Sequence, residues 1–286
     1  MRLLITGSKG QLGQEFYRIK SLSKHKFLFT DYNHFNICSI DSINSYMSDK
    51  KVDCIINCAA YTDVRKAEVE REKAFDVNSN GVKNLVAYCE ENNMKLIHFS
   101  TDYVYNGDTI NPIHEEEFVD PQNYYGFSKR EGEKHIENSK SESIVIRTSW
   151  LYSKYGNNFV NTIINKSKTE ENLKVINDQF GCPTYAKDLA IAVMQILDSK
   201  GRIDRKSKIF NFSNEGSTTW FNFAQKIMII YGSNIKIEPV ESEYFKDDVK
   251  RPKFTNTSKS KISQFFNLKI NEWEISLNHY IKKDLK

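Results

Sequence analysis

The opening stretch MRLLITGSKGQLG limits the fold more than any other part of the chain. The apolar run Leu3, Leu4 and Ile5 ends at Gly7, and the sequence predicts a helix over residues 14–20, just past Gly10 and Gly13. Where a strand turns through glycines into a helix, backbone amides can approach a pyrophosphate. No Cβ stands in the way, and the helix N-terminus faces the negative charge. A tight turn without a ligand is the alternative for a bare glycine triplet, but the strand before it and the helix after it favour a dinucleotide.

The pattern then repeats. Phe27 to Phe29 form a second apolar run, and Asp31 follows where the end of a second strand places an acid on a ribose 2'-hydroxyl. A polar loop cap is the other reading of Asp31. If it holds the ribose, a 2'-phosphate is repelled and NADH is preferred over NADPH, unless Lys24, Lys26 or His34 offsets the charge. Asp41 or Ser42 is expected to cap a helix running to Met47. KVDCIINCAAYT then delivers a buried strand into a turn of small residues. Cys58, Ala59 and Ala60 leave room for a flat cofactor, with Asn57 and Thr62 as polar contacts. Helical stretches at 65–75 and 80–91 flank Asp76, Val77 and Asn78. Strands at Lys95 to Phe99 and Ile144 to Ile146 complete the alternation.

Strands alternating with helices in this order imply an α/β fold with a Rossmann-like, doubly wound parallel sheet. Beyond residue 150 turn residues increase, as in YGNN at 155–158 and NDQFGCPT at 177–184. Amphipathic helices are expected at 187–197 and 220–231, and Asn271 with Glu274 is placed to cap the last one. The expected division is an NAD(P)-binding domain over 1–150 and a smaller, mainly substrate-binding α/β domain over 151–286, with some segments returning to the first. Substrate belongs in the cleft between them.

Bulk composition excludes several classes. The 286 residues carry a net charge of +4 spread along the chain, with no basic run suited to nucleic acid. Lys282, Lys283 and Lys286 read as the solvated end of a last helix. No signal peptide and no membrane-length apolar run is visible, so a cytoplasmic protein is expected. Five cysteines at irregular spacing imply reduced thiols, and no metal site is expected.

Chemistry is carried by NYYGFSKREG at 123–132. Tyr125 and Lys129 lie four apart on one helix face. Bringing a phenol of pKa about 10 into play at neutral pH requires about 4 kcal/mol. One cation at about 4 Å in an effective dielectric near 20 supplies that. Such a pair can donate and accept the proton that carbonyl reduction requires. Ser100, Thr101 and Tyr103 end the strand before this helix, where ligands gather. His98, within the apolar run of that strand, is assigned no chemical role.

Together these strings resemble the extended short-chain dehydrogenase/reductases. GQLG, AAYTDVRKAE, STDYVYNG, YYGFSKREGE, RTSWLY, GNNFV, DQFGCPT and RPKFT are similar, in order, to the dTDP-4-dehydrorhamnose reductases among them, over residues 2 to about 262. The resemblance implies reduction of the C4 ketone of a dTDP-linked 6-deoxyhexulose with NADH or NADPH. By position it implies Thr101, Tyr125 and Lys129 as the catalytic trio and Tyr103 and Trp150 in the sugar pocket. It also implies a cofactor site built from Gly7, Gly10, Gln11, Leu12 and Gly13, the loop from Asn57 to Thr62, and Ser100. Lys129 would lower the tyrosine pKa and hold the nicotinamide ribose. Arg251 is read as a contact to the nucleotide diphosphate or as a surface cap.

Two departures stand out: Arg65 replaces an acid near the expected sugar pocket, and Asn36 replaces an acid near the adenine. They leave the sugar and nucleotide carrier open. Other nucleotide-sugar enzymes of the superfamily, epimerase or dehydratase, and a non-catalytic NAD(P)-binding regulatory subunit remain alternatives. A homodimer is left open.

Overall fold

Strands that are apolar on both faces can only lie inside a sheet covered by helices, and this chain supplies them in alternation. A computed structural model of the protein describes residues 1–199 and 208–285; Lys286, read above as part of a solvated tail, lies outside them. The chain runs β1 (Arg2–Thr6), α1 (Gln11–Ile19), β2 (Lys26–Phe29), α2 (Ile40–Met47) and β3 (Cys54–Asn57). Then come α3 (Val64–Val69), α4 (Arg71–Phe75), α5 (Gly81–Glu91), β4 (Lys95–Thr101), α6 (Tyr124–Glu137) and β5 (Ser143–Thr148). Next are β6 (Leu151–Tyr152), α7 (Phe159–Lys166), β7 (Asn172–Ile176), β8 (Phe180–Gly181), β9 (Thr184–Tyr185) and α8 (Ala186–Asp198). The chain closes with β10 (Ile209–Asn211), β11 (Thr218–Thr219), α9 (Trp220–Tyr231), β12 (Lys236–Val240), β13 (Phe254–Thr255), α10 (Ser260–Phe266) and α11 (Trp273–His279).

The main sheet has six parallel strands in the order β10-β5-β4-β3-β1-β2. From β1 the chain moves one way to β2 and then crosses back to β3, so the switch point lies between β1 and β3. Ligands of such sheets bind at that point, outside the carboxyl ends of the strands. β10 arrives from the second half of the sequence: Ile209 pairs with Val145 and Asn211 with Arg147. α8 returns as well, and Leu189, Val193 and Ile196 share one core with Leu12, Phe16 and Ile19 of α1. A second core, with Tyr152, Phe223, Ile227, Leu277 and Tyr280, lies over the parallel pair β7 and β12.

Local details differ from the sequence reading for identifiable reasons. α1 begins at Gln11 because Gly10 already has extended cap geometry. Ser39, not Asp41 or Ser42, caps α2 by accepting from Ser42 N. Asp76–Asn80 do not separate two helices; they form a wide π-helical turn that continues into α5. Asn271 does not cap the last helix. Its carbonyl accepts from Glu215 N, and α11 starts at Trp273 without a side-chain cap. All five cysteines are free. Among the described residues no helix is long and apolar enough to cross a membrane.

Candidate active site

At the end of β1, Gly7 adopts φ +58°, and a Cβ there would fall 2.7 Å from Ala59 N and from the Cys58 carbonyl carbon. Only glycine lets this loop close on the turn after β3. Gly10 caps α1 without a side chain, so the first amides of the helix stay open to an anion. This bare cradle fits the pyrophosphate of a dinucleotide. The Gln11 side chain is committed elsewhere, accepting from Asn158 Nδ2 at 3.0 Å, while Leu12 and Gly13 are buried.

A recess of about 410 Å³ opens beside this loop, with Gly7, Asp31, Asn36 and Ala59 in its wall. The Asp31 carboxylate is ion-paired with Lys9 and lies 2.9 Å from His34 Nδ1. Hydrogen bonds from Lys9 first, then His34, hold Asp31 down at about 2. Of the three bases that sequence left open as an offset to Asp31, His34 is placed on it, while Lys24 pairs with Asp198 at 2.8 Å. Lys9 was not foreseen. Asn36 accepts from Cys38 N at 3.0 Å, shaping its own turn.

A second recess of about 720 Å³ shares Lys9, Gly10, Cys58 and Ala60 with the first and continues past Thr62 and Ser100 to Thr101, Tyr125 and Lys129. Asn57 is not in its wall; its amide is buried and bonds Thr6 and His98. α6 is set in place by three groups. Asn123 caps it, accepting from Gly126 N at 2.9 Å. Asn78, on the π-helical turn, accepts from Tyr61 N and donates to Ser128 Oγ. A Cβ on Gly132 would lie 2.1 Å from Asn78 O, so glycine is what permits that approach.

Thr101 Oγ1 donates to Asp102 Oδ1 at 3.1 Å and accepts from Tyr103 N at 3.2 Å. The Tyr103 and Tyr125 rings meet edge to face, 6.0 Å apart. Burial pushes the Tyr125 phenol above its usual range, with the Thr101 hydroxyl opposing. Here one expectation is corrected. The Lys129 ammonium does not prime the phenol as the side chains stand, because Nζ donates to Phe99 O at 2.6 Å and meets His98 Nε2 at 3.2 Å. Burial brings Lys129 down to about 8, against the pull of Glu133. His98, assigned no chemistry from sequence, is therefore the side chain in direct contact with Lys129.

Trp150 takes φ +45°, a left-handed conformation that costs a bulky residue about 1–3 kcal/mol. Its indole stacks on Trp220 with centroids 3.4 Å apart and planes at 8°. Trp220, from sequence only the first residue of an amphipathic helix, lines both this recess and a third of about 600 Å³. Tyr103, Phe159, Tyr244 and Arg251 also line the third. Arg251 is ion-paired with Asp247, and Arg65 reaches the same carboxylate through Nε at 3.1 Å and Nη2 at 3.0 Å. Arg65, 67% exposed, stands at the rim and does not point into the sugar pocket.

The three recesses share walls and run from the glycine cradle to the aromatic third, with a phenol, a hydroxyl and a lysine in the middle. A doubly wound sheet with that site defines an oxidoreductase of the extended short-chain dehydrogenase/reductase class. The chain belongs to the family described as RmlD substrate binding domain, which matches residues 1–285. It is 32% identical over 282 residues to the spore coat polysaccharide biosynthesis protein SpsK of Bacillus subtilis (strain 168), covering 99% of this chain and 97% of that protein. It is 33% identical over 288 residues to the dTDP-4-dehydrorhamnose reductase of Sinorhizobium fredii, covering 98% and 97%. The crystal structure of dTDP-4-dehydrorhamnose reductase from Bacillus anthracis in complex with NADP is similar at a TM-score of 0.92 and 33% identity, covering 98% of each chain.

Proposed function

We infer that this protein reduces the C4 ketone of a dTDP-linked 4-keto-6-deoxyhexose with NADH or NADPH, taking dTDP-4-dehydro-L-rhamnose to dTDP-L-rhamnose for cell-surface polysaccharide synthesis. The observation that carries this reading is the meeting of Thr101, Tyr125 and Lys129 in one recess that joins the glycine cradle to the aromatic recess. When bound, the nicotinamide supplies hydride to the carbonyl carbon. Tyr125 protonates the oxygen, Thr101 donates a hydrogen bond to it, and Lys129, once its Nζ turns from Phe99 O and His98 toward the phenol, steadies the phenolate that Tyr125 leaves.

In this proposal the first half of the chain, 1–150, holds the dinucleotide through Gly7, Gly10, Gln11, Leu12 and Gly13. Asp31 takes the ribose, and Cys58, Ala59, Ala60, Thr62 and Ser100 form the wall. The second half, 151–286, mainly holds the sugar nucleotide. Tyr103 and Trp150 flank the sugar, and Arg251 receives the diphosphate, for which a guanidinium is suited. Homodimerisation and a cytoplasmic location complete the proposal, tested by sedimentation velocity and cell fractionation.

The deciding experiment follows oxidation of NADH and NADPH with dTDP-4-keto-6-deoxy sugars, made with and without prior 3,5-epimerisation, and identifies the product. Tyr125→Phe should lower kcat on the order of 10²-fold or more. Turnover without added reductant would replace the reading with an epimerase or dehydratase.

A further inference from the structure

A chain of buried hydrogen bonds runs behind the recess from β1 to Lys129. Thr6 Oγ1 and Ala59 N both donate to Asn57 Oδ1, at 2.6 and 3.2 Å. Ala59 N also lies 3.3 Å from Thr6 Oγ1, but a backbone N–H cannot accept, which assigns the nearer Asn57 atom as the amide oxygen and turns Nδ2 to His98 Nδ1 at 3.0 Å. Nδ2 offers only hydrogens, so Nδ1 must present its lone pair. Neutral His98 then carries its single proton on Nε2, 3.2 Å from Lys129 Nζ. A lysine amine can accept from that N–H. An ammonium has no lone pair and meets it hydrogen to hydrogen. Thr6, Asn57, His98 and Lys129 are each at most 1% exposed, so water does not relieve the conflict.

We propose that Asn57 fixes the tautomer of His98, and that His98 is a positioning residue which stabilises Lys129 as the neutral amine and so sets the pH at which Lys129 gives up its proton. The inference rests on the reductase reading above. In each turnover the Tyr125 O–H bond breaks as the sugar O–H forms. Lys129 must be the ammonium to steady the phenolate left behind, so the His98 Nε2–H lowers the pH above which turnover falls.

Other groups around Lys129 do not change this assignment. Tyr125 and Glu133 lie on its own helix, and Arg147 of β5 pairs with Glu133 through two hydrogen bonds. Asp102 follows β4, raised by burial to about 6. Burial also brings His98 well below its ordinary value, in keeping with a neutral ring. Lys129, at about 8, is mostly the ammonium at pH 7 and gives way to the amine just above it.

The test needs no substrate for its first part. In the full-length wild-type chain, side-chain ¹⁵N spectra should show His98 as the Nε2–H tautomer, and an Nδ1–H tautomer overturns the inference. Asn57→Asp keeps an acceptor for Thr6 and Ala59 and offers a second to His98, so it should switch the ring to Nδ1–H. The Lys129 side-chain titration should then move to higher pH by about one unit or more, and the alkaline limb of kcat should move with it. A purely structural role would lower kcat at every pH and leave both midpoints in place, which overturns the inference. Absence of turnover with every dTDP-4-keto sugar would remove the reductase reading, a result separable from the tautomer and the titration.

Discussion

Arg147 and Glu133 form a two-point ion pair inside the protein, Nε to Oε1 at 2.8 Å and Nη2 to Oε2 at 2.7 Å, one helical turn beyond Lys129. Arg147 Nη1 also donates to Tyr105 Oη at 2.8 Å, so nearly every polar atom of the pair is engaged. Burial alone would raise Glu133, but the Arg147 charge and its hydrogen bonds bring it below the usual range. Glu133→Gln leaves the guanidinium buried without its counter-charge and should cost about 3–5 kcal/mol. Urea unfolding measures this. A loss under about 1 kcal/mol would mean that water reaches the pair.

Lys129 should be a residue that function keeps at a cost in stability. Its folded value of about 8 lies below the ordinary 10.5, so the unfolded chain binds more protons between those limits. The penalty stands in full below pH 8 and is relieved as pH rises through that window, about 3 kcal/mol in all. Lys129→Met removes the penalty and also the bond to Phe99 O, worth about 1 kcal/mol. The variant should be inactive yet more stable by about 2 kcal/mol at pH 7, with the gain shrinking toward pH 10. Urea titrations at the two pH values decide it, and a less stable variant at pH 7 contradicts it.

Lys9 governs cofactor choice through Asp31. Sequence reading gave Asp31 a preference for NADH, yet Lys9 and His34 both sit on its carboxylate. A 2'-phosphate can draw Lys9 to itself, so NADPH should be accepted. Lys9→Gln should lower kcat/KM for NADPH about tenfold, or about 1.4 kcal/mol, and leave NADH within about twofold. The difference should narrow at high salt, because Lys9 is exposed. Equal losses with both cofactors would place Lys9 elsewhere in binding.

Arg251 and Arg65 share Asp247 but should not share a role. Arg251→Ala should raise KM for the sugar nucleotide about tenfold or more with kcat little changed, as for a group that binds ground and transition states alike. Arg251→Lys should not restore it, since an ammonium lacks the paired donors that match a diphosphate. Arg65→Ala, at an exposed rim pair, should alter KM less than about threefold and stability by less than 1 kcal/mol. Initial-rate kinetics on the three variants separate the two arginines.

The sheet was legible because its signals are local. Leu3 to Ile5, Cys54 to Asn57 and Leu96 to Phe99 are apolar runs bounded by turns, and the strand-glycine-helix junction at Gly7 dictates its own geometry. Tyr125 and Lys129 could be paired for the same reason, since helix periodicity fixes which residues share a face. Helix limits were less legible where a neighbour set them. Asn78 holds the Asp76–Asn80 turn against Ser128 of α6, a contact that the local sequence does not encode.

Sequence alone determined the alternation of strands and helices in the sheet, the glycine cradle and the placing of Tyr125 and Lys129 on one helix face, because each depends on residues a few positions apart. Tertiary structure alone decided where their charges and protons point. Lys129 turns to His98 across 31 positions, Asn57 reaches His98 across 41, and Trp220 stacks on Trp150 from a helix that periodicity marks only as amphipathic. Hydrogen bonds and ring contacts of that range arise only when separate elements pack, and burial then shifts an ionisable group by amounts that no local pattern encodes.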